Sequence, residues 1–441
     1  MFGHTWPLLR DPLRFVTQLP AYGPLVTLRL GWARAVVVCD PTLTQQLLVR
    51  DRIFDRGGPF FDRAREAGAG NGLGTCPHRD HRRQRRLCQP AFRPDRINTY
   101  ATVFAQATAG CISNWRDGQV LDVHPEMSSL ALRMVLRTLY SSGLSDPELA
   151  ETGANAVQML EGLFRRTITP RWMWSLPTPA ARRHERAQCG FRETAQRIIA
   201  ARSRDGADHG DLLSALQYAT DDDADPDSAS RVLTAEELTD QVFTFLITGF
   251  ETLANTLSWA MYLLAAHPDV QHQVHREATE AVSDGDLPGP EHLVGLEVTG
   301  RVIDETLRLY PQAWLLTRTV TEDAELGGCL LPAGTMVFFS SYLIHHRADL
   351  YPDPERFDPG RWRNKVRDRS TYLPFGSGPR KCIGDRFART SLVLALAAIA
   401  RRWQLTPTAP GPLRPAVRAT LVPHALRLRL HARTVTSLDL I

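Results

Sequence analysis

The sequence predicts a mainly α-helical fold with a small β region. Apolar residues recur at helical spacing through most of the 441 residues, and proline and glycine stand at the joints. Runs with strand character are few: residues 25–30 and 35–38 are typical of a β-hairpin, and residues 335–339 of one further strand. These features favour a helical body that carries a small sheet.

One predicted helix is long enough to cross the molecule. Thr234 followed by Glu237 forms a capping box, and no proline interrupts the chain until Pro268. About 32 residues at 1.5 Å each make a rod of roughly 48 Å. Its middle is apolar on nearly every face, which is typical of a helix buried all round. The polar pair Glu251 and Thr252 inside this stretch is costly to bury unless it serves a function.

Charge and composition exclude several classes of protein. The formal net charge of +4 is mild, and no basic stripe is interleaved with aromatic residues, so nucleic acid is not an expected partner. No segment reaches about 18 uninterrupted apolar residues, so no membrane span is expected. The seven cysteines are scattered without a CxxC pair, which fits a reducing compartment. We therefore expect a cytoplasmic protein.

The segment with the clearest chemistry is the loop at residues 375–384, FGSGPRKCIG. Its glycines and proline predict a tight turn, and a helical pattern follows directly after Cys382. The donors and dipole at a helix N-terminus, together with Arg380 and Lys381, would favour the thiolate form of the cysteine. The alternative is a purely structural cysteine at the start of a helix.

The whole FxxGxRxCxG pattern resembles the haem-binding signature of the cytochrome P450 family. The resemblance spans essentially the entire chain and implies one domain, residues 1–441, with a triangular, mostly helical body and the long helix over the haem. It implies haem b as cofactor, Cys382 as axial ligand to the iron, and a reaction with O2 and electrons derived from NAD(P)H. A thiolate ligand pushes electron density onto iron and favours O–O cleavage.

A second pattern implies a structural triad. Glu305 and Arg308 are three residues apart on one predicted helix and can form a pair. Downstream, residues 354–357 (PERF) offer Arg356 as the third member. In the family such a triad supports the loop that holds the haem. An isolated Glu-x-x-Arg is otherwise an ordinary surface pair.

A third pattern concerns the two haem propionates. His81 and Arg85 lie four residues apart in a basic predicted helix, so they share a face. Guanidinium groups pair bidentately with carboxylates, which suits propionates. The resemblance adds Arg318 and Arg380 as cofactor-binding residues. Taken alone, the basic run would be a solvated helix face.

Residues 248–252, TGFET, resemble the family's oxygen-activation motif. There the helix is expected to widen locally at Gly249, with Thr252 hydrogen-bonding to the dioxygen and Glu251 relaying protons. Thr248 departs from the usual Ala or Gly, and Leu253 stands where a second Thr is common.

The predicted substrate is an apolar small molecule, because the segments that face the pocket in the family are rich in apolar residues. The candidate pocket residues are Phe60, Phe61, Phe245, Thr248, Gly249 and Trp314. Each aromatic residue taken alone could equally be plain core. Residues 54–60, 70–75 and 317–321 resemble bacterial sesquiterpene oxidases, which suggests hydroxylation of a hydrocarbon such as pentalenene and leaves further oxidation to an aldehyde open.

The sequence contains no flavin domain and no iron–sulfur ligand set, so electrons are expected from a ferredoxin and a ferredoxin reductase. An acidic ferredoxin would suit a basic surface near the cysteine loop. The candidate residues are Arg82, Arg83, Arg86, Arg363, Lys365, Lys381, Arg386 and Arg389. A haem-thiolate peroxygenase or isomerase and a haem-based sensor remain as alternatives, although the Glu251–Thr252 pair argues against a peroxygenase.

Overall fold

The computed structural model describes residues 3–31, 33–141, 144–169, 171–174, 176–223, 231–283, 286–363 and 370–433. The fold is mostly helical with small sheets, as predicted. Lys365, one of the candidate docking residues, lies outside the described residues. No helix in the described ranges is long and apolar enough to cross a membrane.

The α-helices are α1 (Thr5–Arg10), α2 (Pro12–Gln18), α3 (Pro41–Val49), α4 (Gly58–Ala64), α5 (His78–Cys88), α6 (Pro94–Ile112), α7 (Val123–Tyr140), α8 (Asp146–Ile168), α9 (Pro179–Asp205), α10 (Leu212–Gln217), α11 (Ala235–Ala266), α12 (Pro268–Ala281), α13 (Glu297–Leu309), α14 (Ser341–His345) and α15 (Asp385–Arg402). Short 3-10 turns include Pro359–Trp362 and Gly378–Arg380.

The strands are β1 (Leu25–Leu30), β2 (Ala33–Val38), β3 (Phe54–Asp55), β4 (Val120–Asp122), β5 (Leu316–Val320), β6 (Ala324–Leu326), β7 (Cys329–Leu331), β8 (Met336–Phe339), β9 (Trp403–Pro407), β10 (Ala416–Val417), β11 (Leu421–Val422) and β12 (Arg427–Ala432). The largest sheet has the order β1-β2-β8-β5-β3, and β4-β12-β9 form a second one. The predicted hairpin is confirmed as β1 and β2, which pair antiparallel with Leu25 opposite Val38. The predicted strand at 335–339 is confirmed as β8.

The long helix α11 begins and ends where the capping signals predicted. The Thr234 hydroxyl accepts from the Glu237 backbone N–H at 3.2 Å, and the Glu237 carboxylate accepts from the Thr234 N–H at 2.9 Å. The helix runs for 32 residues and stops before Pro268. It packs against α7, α13 and α15, so its apolar middle is buried.

Two apolar cores flank the site. The larger core is built mainly from α6, α7, α11 and α15, and the smaller one lies between α2, α3 and the five-stranded sheet. Helix α11 packs into the larger core and the five-stranded sheet into the smaller one. The space between the helix and the sheet is therefore bounded on both sides by well-packed elements.

A buried ion pair within α13 also contacts the segment that leads to the cysteine loop. Glu305 and Arg308 are both fully buried, and two N–H groups of Arg308 donate to the two carboxylate oxygens of Glu305 at 2.9 Å each. Arg308 also donates to the backbone carbonyls of His345 and Pro354. The indole N–H of Trp362 donates to the same carboxylate at 3.0 Å. The Glu-x-x-Arg pair predicted from the sequence is therefore present.

The prediction that Arg356 completes this triad is wrong. Arg361 makes the contact instead, with its Nε 2.9 Å from a Glu305 oxygen. Arg356 has an exposed side chain and contributes only its backbone carbonyl, which accepts from Arg308. Its motif, Pro-x-Arg-aromatic, occurs twice, at 354–357 and at 359–362, and the 3-10 turn of the second copy directs its arginine inward.

Replacing Arg361 with alanine removes one hydrogen bond to a buried carboxylate. We expect Arg361→Ala to lower the free energy of unfolding by about 1.5–3 kcal/mol, the usual contribution of a hydrogen bond to a charged group. The matched control is Arg356→Ala, for which we expect a change within about 0.5 kcal/mol because the side chain is exposed. Urea denaturation followed by circular dichroism measures both. A larger loss for Arg356→Ala would contradict the assignment.

Candidate active site

A cavity of about 420 Å³ lies between α5, α11, the five-stranded sheet and the loop that carries Cys382. Most residues that the sequence singled out line it, although they come from distant parts of the chain. These residues are His81, Arg85, Phe245, Thr248, Gly249, Glu251, Thr252, Arg318, Arg380 and Cys382. The fold therefore brings the predicted cofactor-binding and catalytic residues to one place.

Three predicted pocket residues lie outside this lining. Phe60 on α4 is 45% exposed and packs edge-on against Phe61, with ring centroids 5.3 Å apart. Trp314 is buried in the smaller core, where its indole N–H donates to the backbone carbonyl of Arg418 at 2.9 Å. The aromatic content of these segments was apparent from the sequence, but the direction of each ring depends on tertiary packing.

The loop before α15 holds Cys382 at the cavity wall. The Cys382 backbone N–H donates to the Phe375 carbonyl at 2.9 Å, which closes the loop. Gly378 has a φ of +69°, and a Cβ there would lie 2.3 Å from the Leu48 carbonyl oxygen. Only glycine permits this close approach to α3. Helix α15 begins at Asp385, two residues later than the predicted start at Ile383, directly after the cysteine.

The Cys382 side chain faces the cavity, and its surroundings act on the thiol in opposite directions. Burial raises the pKa of the Cys382 thiol, and this effect exceeds the opposing hydrogen bond from the Gly384 N–H and the charges of Arg85 and Arg56. The two cations next to the cysteine in sequence form ion pairs with other residues: Lys381 pairs with Asp385, and Arg380 pairs with Asp55. A metal cation at the sulfur would displace the proton, because a coordinating thiol is deprotonated.

One wall of the cavity holds an excess of buried positive charge. Arg318 is 2% exposed, and its Nε has no hydrogen-bond partner among the described residues. Burial and the neighbouring Arg56 and Arg380 lower the pKa of Arg318 well below its usual range. Arg380 donates to Asp55 at 2.7 Å, yet its Nε makes no hydrogen bond within the described ranges and lies 3.7 Å from the nearest oxygen of Asp51.

Arg56 belongs to this wall and was not found by sequence reasoning. It lines the cavity and donates to the Gly74 carbonyl at 2.7 Å, and burial lowers its pKa to about 10. No motif marks it. Its position follows from the pairing of β3 with β5, where Asp55 lies opposite Thr319, so that Arg56 continues the strand towards Arg318.

His81 and Arg85 both line the cavity from α5, but they differ in their contacts. His81 is buried, and desolvation together with Arg380 and Arg56 lowers its pKa to about 2, so the ring is neutral. Its Nδ1 has no partner among the described residues. Arg85 donates to the Lys381 carbonyl at 2.5 Å and thus ties α5 to the cysteine loop.

These residues fit a haem. Buried cations with unpartnered donors are unstable unless an anion pairs with them, and two carboxylates of one ligand would supply the missing acceptors. Within the described residues no group of three or more His, Cys, Asp or Glu side chains could hold a bare metal ion. A single thiol facing the cavity matches a metal whose remaining ligands belong to a macrocycle.

The expected widening of α11 at Gly249 is absent, because the helix is α-helical at every residue from 235 to 266. Threonines occur every fourth residue on its cavity face, and each hydroxyl donates to the carbonyl one turn earlier. The distances are 2.7 Å from Thr248 to Thr244, 2.8 Å from Thr252 to Thr248, and 2.7 Å from Thr256 to Thr252. These bonds satisfy the hydroxyls, and the helix remains regular here.

Glu251 and Thr252 both line the cavity, as predicted. The Glu251 carboxylate accepts from the Thr420 hydroxyl at 3.0 Å. Burial raises the pKa of Glu251, while the Thr420 hydrogen bond and the charge of Arg418 oppose this rise. A carboxyl with a raised pKa can exchange protons nearer neutral pH than an exposed one.

The model of the family described as cytochrome P450 matches residues 11–425 of the chain. The chain belongs to the cytochrome P450 family. It is an oxidoreductase, a P450 monooxygenase, and it uses haem b, O2 and electrons from NAD(P)H. The alternatives of a peroxygenase, an isomerase and a non-catalytic sensor are therefore set aside.

Known P450 enzymes of Streptomyces are similar over nearly their whole length. Pentalenene oxygenase of Streptomyces avermitilis is 43% identical over 437 residues, which cover 98% of this chain and 95% of the relative. Cyclooctat-9-en-7-ol 5-monooxygenase of Streptomyces melanosporofaciens is 44% identical over 415 residues, 93% of this chain and 88% of the relative. The crystal structure of the cytochrome P450DA heme domain has a TM-score of 0.85 at 25% identity and covers 98% of this P450 and 94% of that chain.

Proposed function

We propose that this P450 inserts one oxygen atom from O2 into a C–H bond of a terpene hydrocarbon, a sesquiterpene such as pentalenene. The apolar lining of the cavity carries this proposal. Away from the arginine wall, the residues beside α11 are mostly aliphatic or aromatic and include Val135, Leu139, Leu160, Phe245, Ile247 and Leu253. A hydrocarbon gains binding energy from such a surface without leaving polar groups unpaired. The similarity to pentalenene oxygenase supports the same substrate class.

Residues of two walls would hold the haem. Cys382 would bind the iron, and Arg318, Arg380, Arg56 and His81 would meet the propionates, because their donors are the unpartnered or cavity-facing ones. When bound, the haem supplies the activation of dioxygen. The protein supplies a largely apolar cavity, from which a bound substrate would exclude water.

Glu251 and Thr252 would deliver protons in the cavity. The proton of the Thr252 hydroxyl is used in the hydrogen bond to the Thr248 carbonyl. The hydroxyl oxygen can still accept a hydrogen bond, so it could hold a donor group of a molecule bound in the cavity in a fixed position. Glu251, with its raised pKa, would take up a proton at Oε1 or Oε2 and release it towards the cavity. The two roles are complementary, since one group orients and the other transfers.

A hydroxylated terpene is a second candidate substrate. The name of cyclooctat-9-en-7-ol 5-monooxygenase gives an alcohol as the compound oxidised by that relative. In this chain the Thr248 side chain is exposed to the cavity, and its hydroxyl proton is engaged with Thr244, so its oxygen can accept from a substrate hydroxyl. This polar point lies where the family usually has Ala or Gly.

A ferredoxin, reduced by a ferredoxin reductase, would dock beside the cysteine loop. The basic residues available to it are fewer than those proposed from the sequence. Arg82 and Arg386 are exposed and form no ion pair with another described residue. Several of the other candidates are held in ion pairs within the fold. The pairs are Arg83 with Glu237, Arg86 with Asp221, Lys381 with Asp385, and Arg389 with Asp304. Docking on Arg82 and Arg386 would weaken as ionic strength rises.

The substrate proposal is tested by titrating the purified haem protein with terpenes. We expect pentalenene to displace water from the cavity and to shift the haem iron from low to high spin, whereas a small polar compound gives no shift. Thr248→Ala separates the two candidates, because it should weaken the binding of a terpene alcohol and leave the hydrocarbon unaffected. If neither terpene class shifts the spectrum nor is oxidised, the terpene proposal is wrong.

Thr252→Ala tests the role of the threonine in the coupling of electrons to product. Without the hydroxyl the proton is misdirected, so NAD(P)H oxidation should continue while product falls and hydrogen peroxide accounts for the difference. General acid–base positioning contributes about 100- to 10,000-fold, so the loss should be large. The control is Thr239→Ala on the same helix, whose buried hydroxyl only bonds the Ala235 carbonyl. An unchanged ratio of product to NAD(P)H oxidised in Thr252→Ala would make Thr252 a packing residue.

A further inference from the structure

A chain of three hydrogen bonds links Glu251 to the partly exposed start of α7. Thr420 donates to Glu251 at 3.0 Å, Asn255 Nδ2 donates to the Thr420 hydroxyl at 3.1 Å, and His124 Nε2 lies 2.8 Å from Asn255 Oδ1. We propose that Thr420 is a positioning residue, which with Asn255 behind it fixes the Glu251 carboxyl in the cavity wall. The inference rests on the proposed role of Glu251 in proton delivery.

The direction of the chain follows from the chemistry of its members. The Asn255 Nδ2 group can only donate, so it occupies a lone pair of the Thr420 hydroxyl and leaves that hydroxyl's proton for Glu251. Asn255 Oδ1 can only accept, so His124 donates to it from Nε2. Every donor therefore points towards the carboxylate, and the successive bonds polarise one another in the same sense.

The turn that carries Thr420 is held on both sides by indole groups. Trp314 donates to the Arg418 carbonyl at 2.9 Å, and Trp259 donates to the Leu421 carbonyl at 2.8 Å. Thr420 itself is 7% exposed, and Asn255 is fully buried one turn along α11 from Glu251. Because Trp259 lies on α11, the helix that also carries Glu251, its hydrogen bond holds the turn with Thr420 at a fixed position relative to Glu251. A surface threonine would not offer a rigid donor of this kind.

The pKa values of the two titratable groups in this hydrogen-bond chain, Glu251 and His124, are each subject to opposing effects. Burial raises the pKa of Glu251, and Thr420 and Arg418 work against it. Around His124, burial, Arg418 and His424 lower the pKa of the ring, while the hydrogen bond with Asn255 and the charge of Asp122 raise it. His124 can donate from Nε2 whether it is neutral or protonated. A pH-dependent change in this hydrogen-bond chain would therefore come from the titration of Glu251.

These contacts give Thr420 a role distinct from packing. The hydroxyl stabilises the ionised carboxylate in an otherwise desolvating wall, so Glu251 can lose a proton to the cavity and remain oriented until it takes up the next one. Valine at this position would keep the volume and remove the donor.

The test compares Thr420→Val with Thr420→Ser, which keeps the hydroxyl, and with Thr239→Val, a buried threonine of α11 that bonds only the Ala235 carbonyl. In Thr420→Val we expect the pH midpoint of the ratio of product to NAD(P)H oxidised to move upwards, and the ratio at neutral pH to fall by about 10-fold, the effect of losing one hydrogen bond to a charged group. Thr420→Ser should restore both, and Thr239→Val should change neither.

A second readout does not depend on turnover. In an infrared pH titration of the haem protein, the carboxyl C=O band that disappears in Glu251→Gln should titrate at higher pH in Thr420→Val than in the parent. If Glu251→Gln lowers coupling but Thr420→Val leaves both the pH midpoint and the band unchanged, the positioning role of Thr420 is overturned while the role of Glu251 stands. If Glu251→Gln itself leaves coupling unchanged, the proposed proton delivery fails first.

Discussion

Much of this structure depends on positive charge buried in one wall of a cavity. Arg56 and Arg380 lower the pKa of Arg318 and of His81. The Nε groups of Arg318 and Arg380 have no hydrogen-bond partner among the described residues. A protein tolerates such an arrangement when a ligand brings the counter-charge, because an uncompensated buried charge is strongly destabilising. Haem propionates would bring two carboxylates to this wall, and Cys382 would hold the iron under the proposed assignment. Haem binding would therefore also stabilise the folded protein, because it supplies the missing counter-charge.

The fold assembles this wall from segments that are far apart in sequence. Pairing of β3 with β5 sets Arg56 beside Arg318, and the close approach of Gly378 to α3 seats the loop that carries Arg380. The Glu305 carboxylate, shared by Arg308, Arg361 and Trp362, fixes the segment that precedes this loop. Across the cavity, α11 presents threonines and Glu251 from a regular helix.

Local signals in the sequence predicted a large part of this. The capping box and proline that bound α11, the Glu-x-x-Arg pair and the cysteine loop all depend on residues close in sequence, and each is present. The sequence could not choose between Arg356 and Arg361, since both stand in a Pro-x-Arg-aromatic motif and only the turn geometry separates them. Arg56 was missed because its position depends on strand pairing.

The central claim, that Cys382 is the iron ligand, is tested most directly by the carbon monoxide difference spectrum of the reduced haem protein. Cys382→Ser should lose the absorption typical of a thiolate ligand, because serine is a poor alkoxide donor at neutral pH. Cys329→Ser, which changes an exposed cysteine on β7, should keep the parent spectrum. A thiolate spectrum that persists in Cys382→Ser would contradict the account.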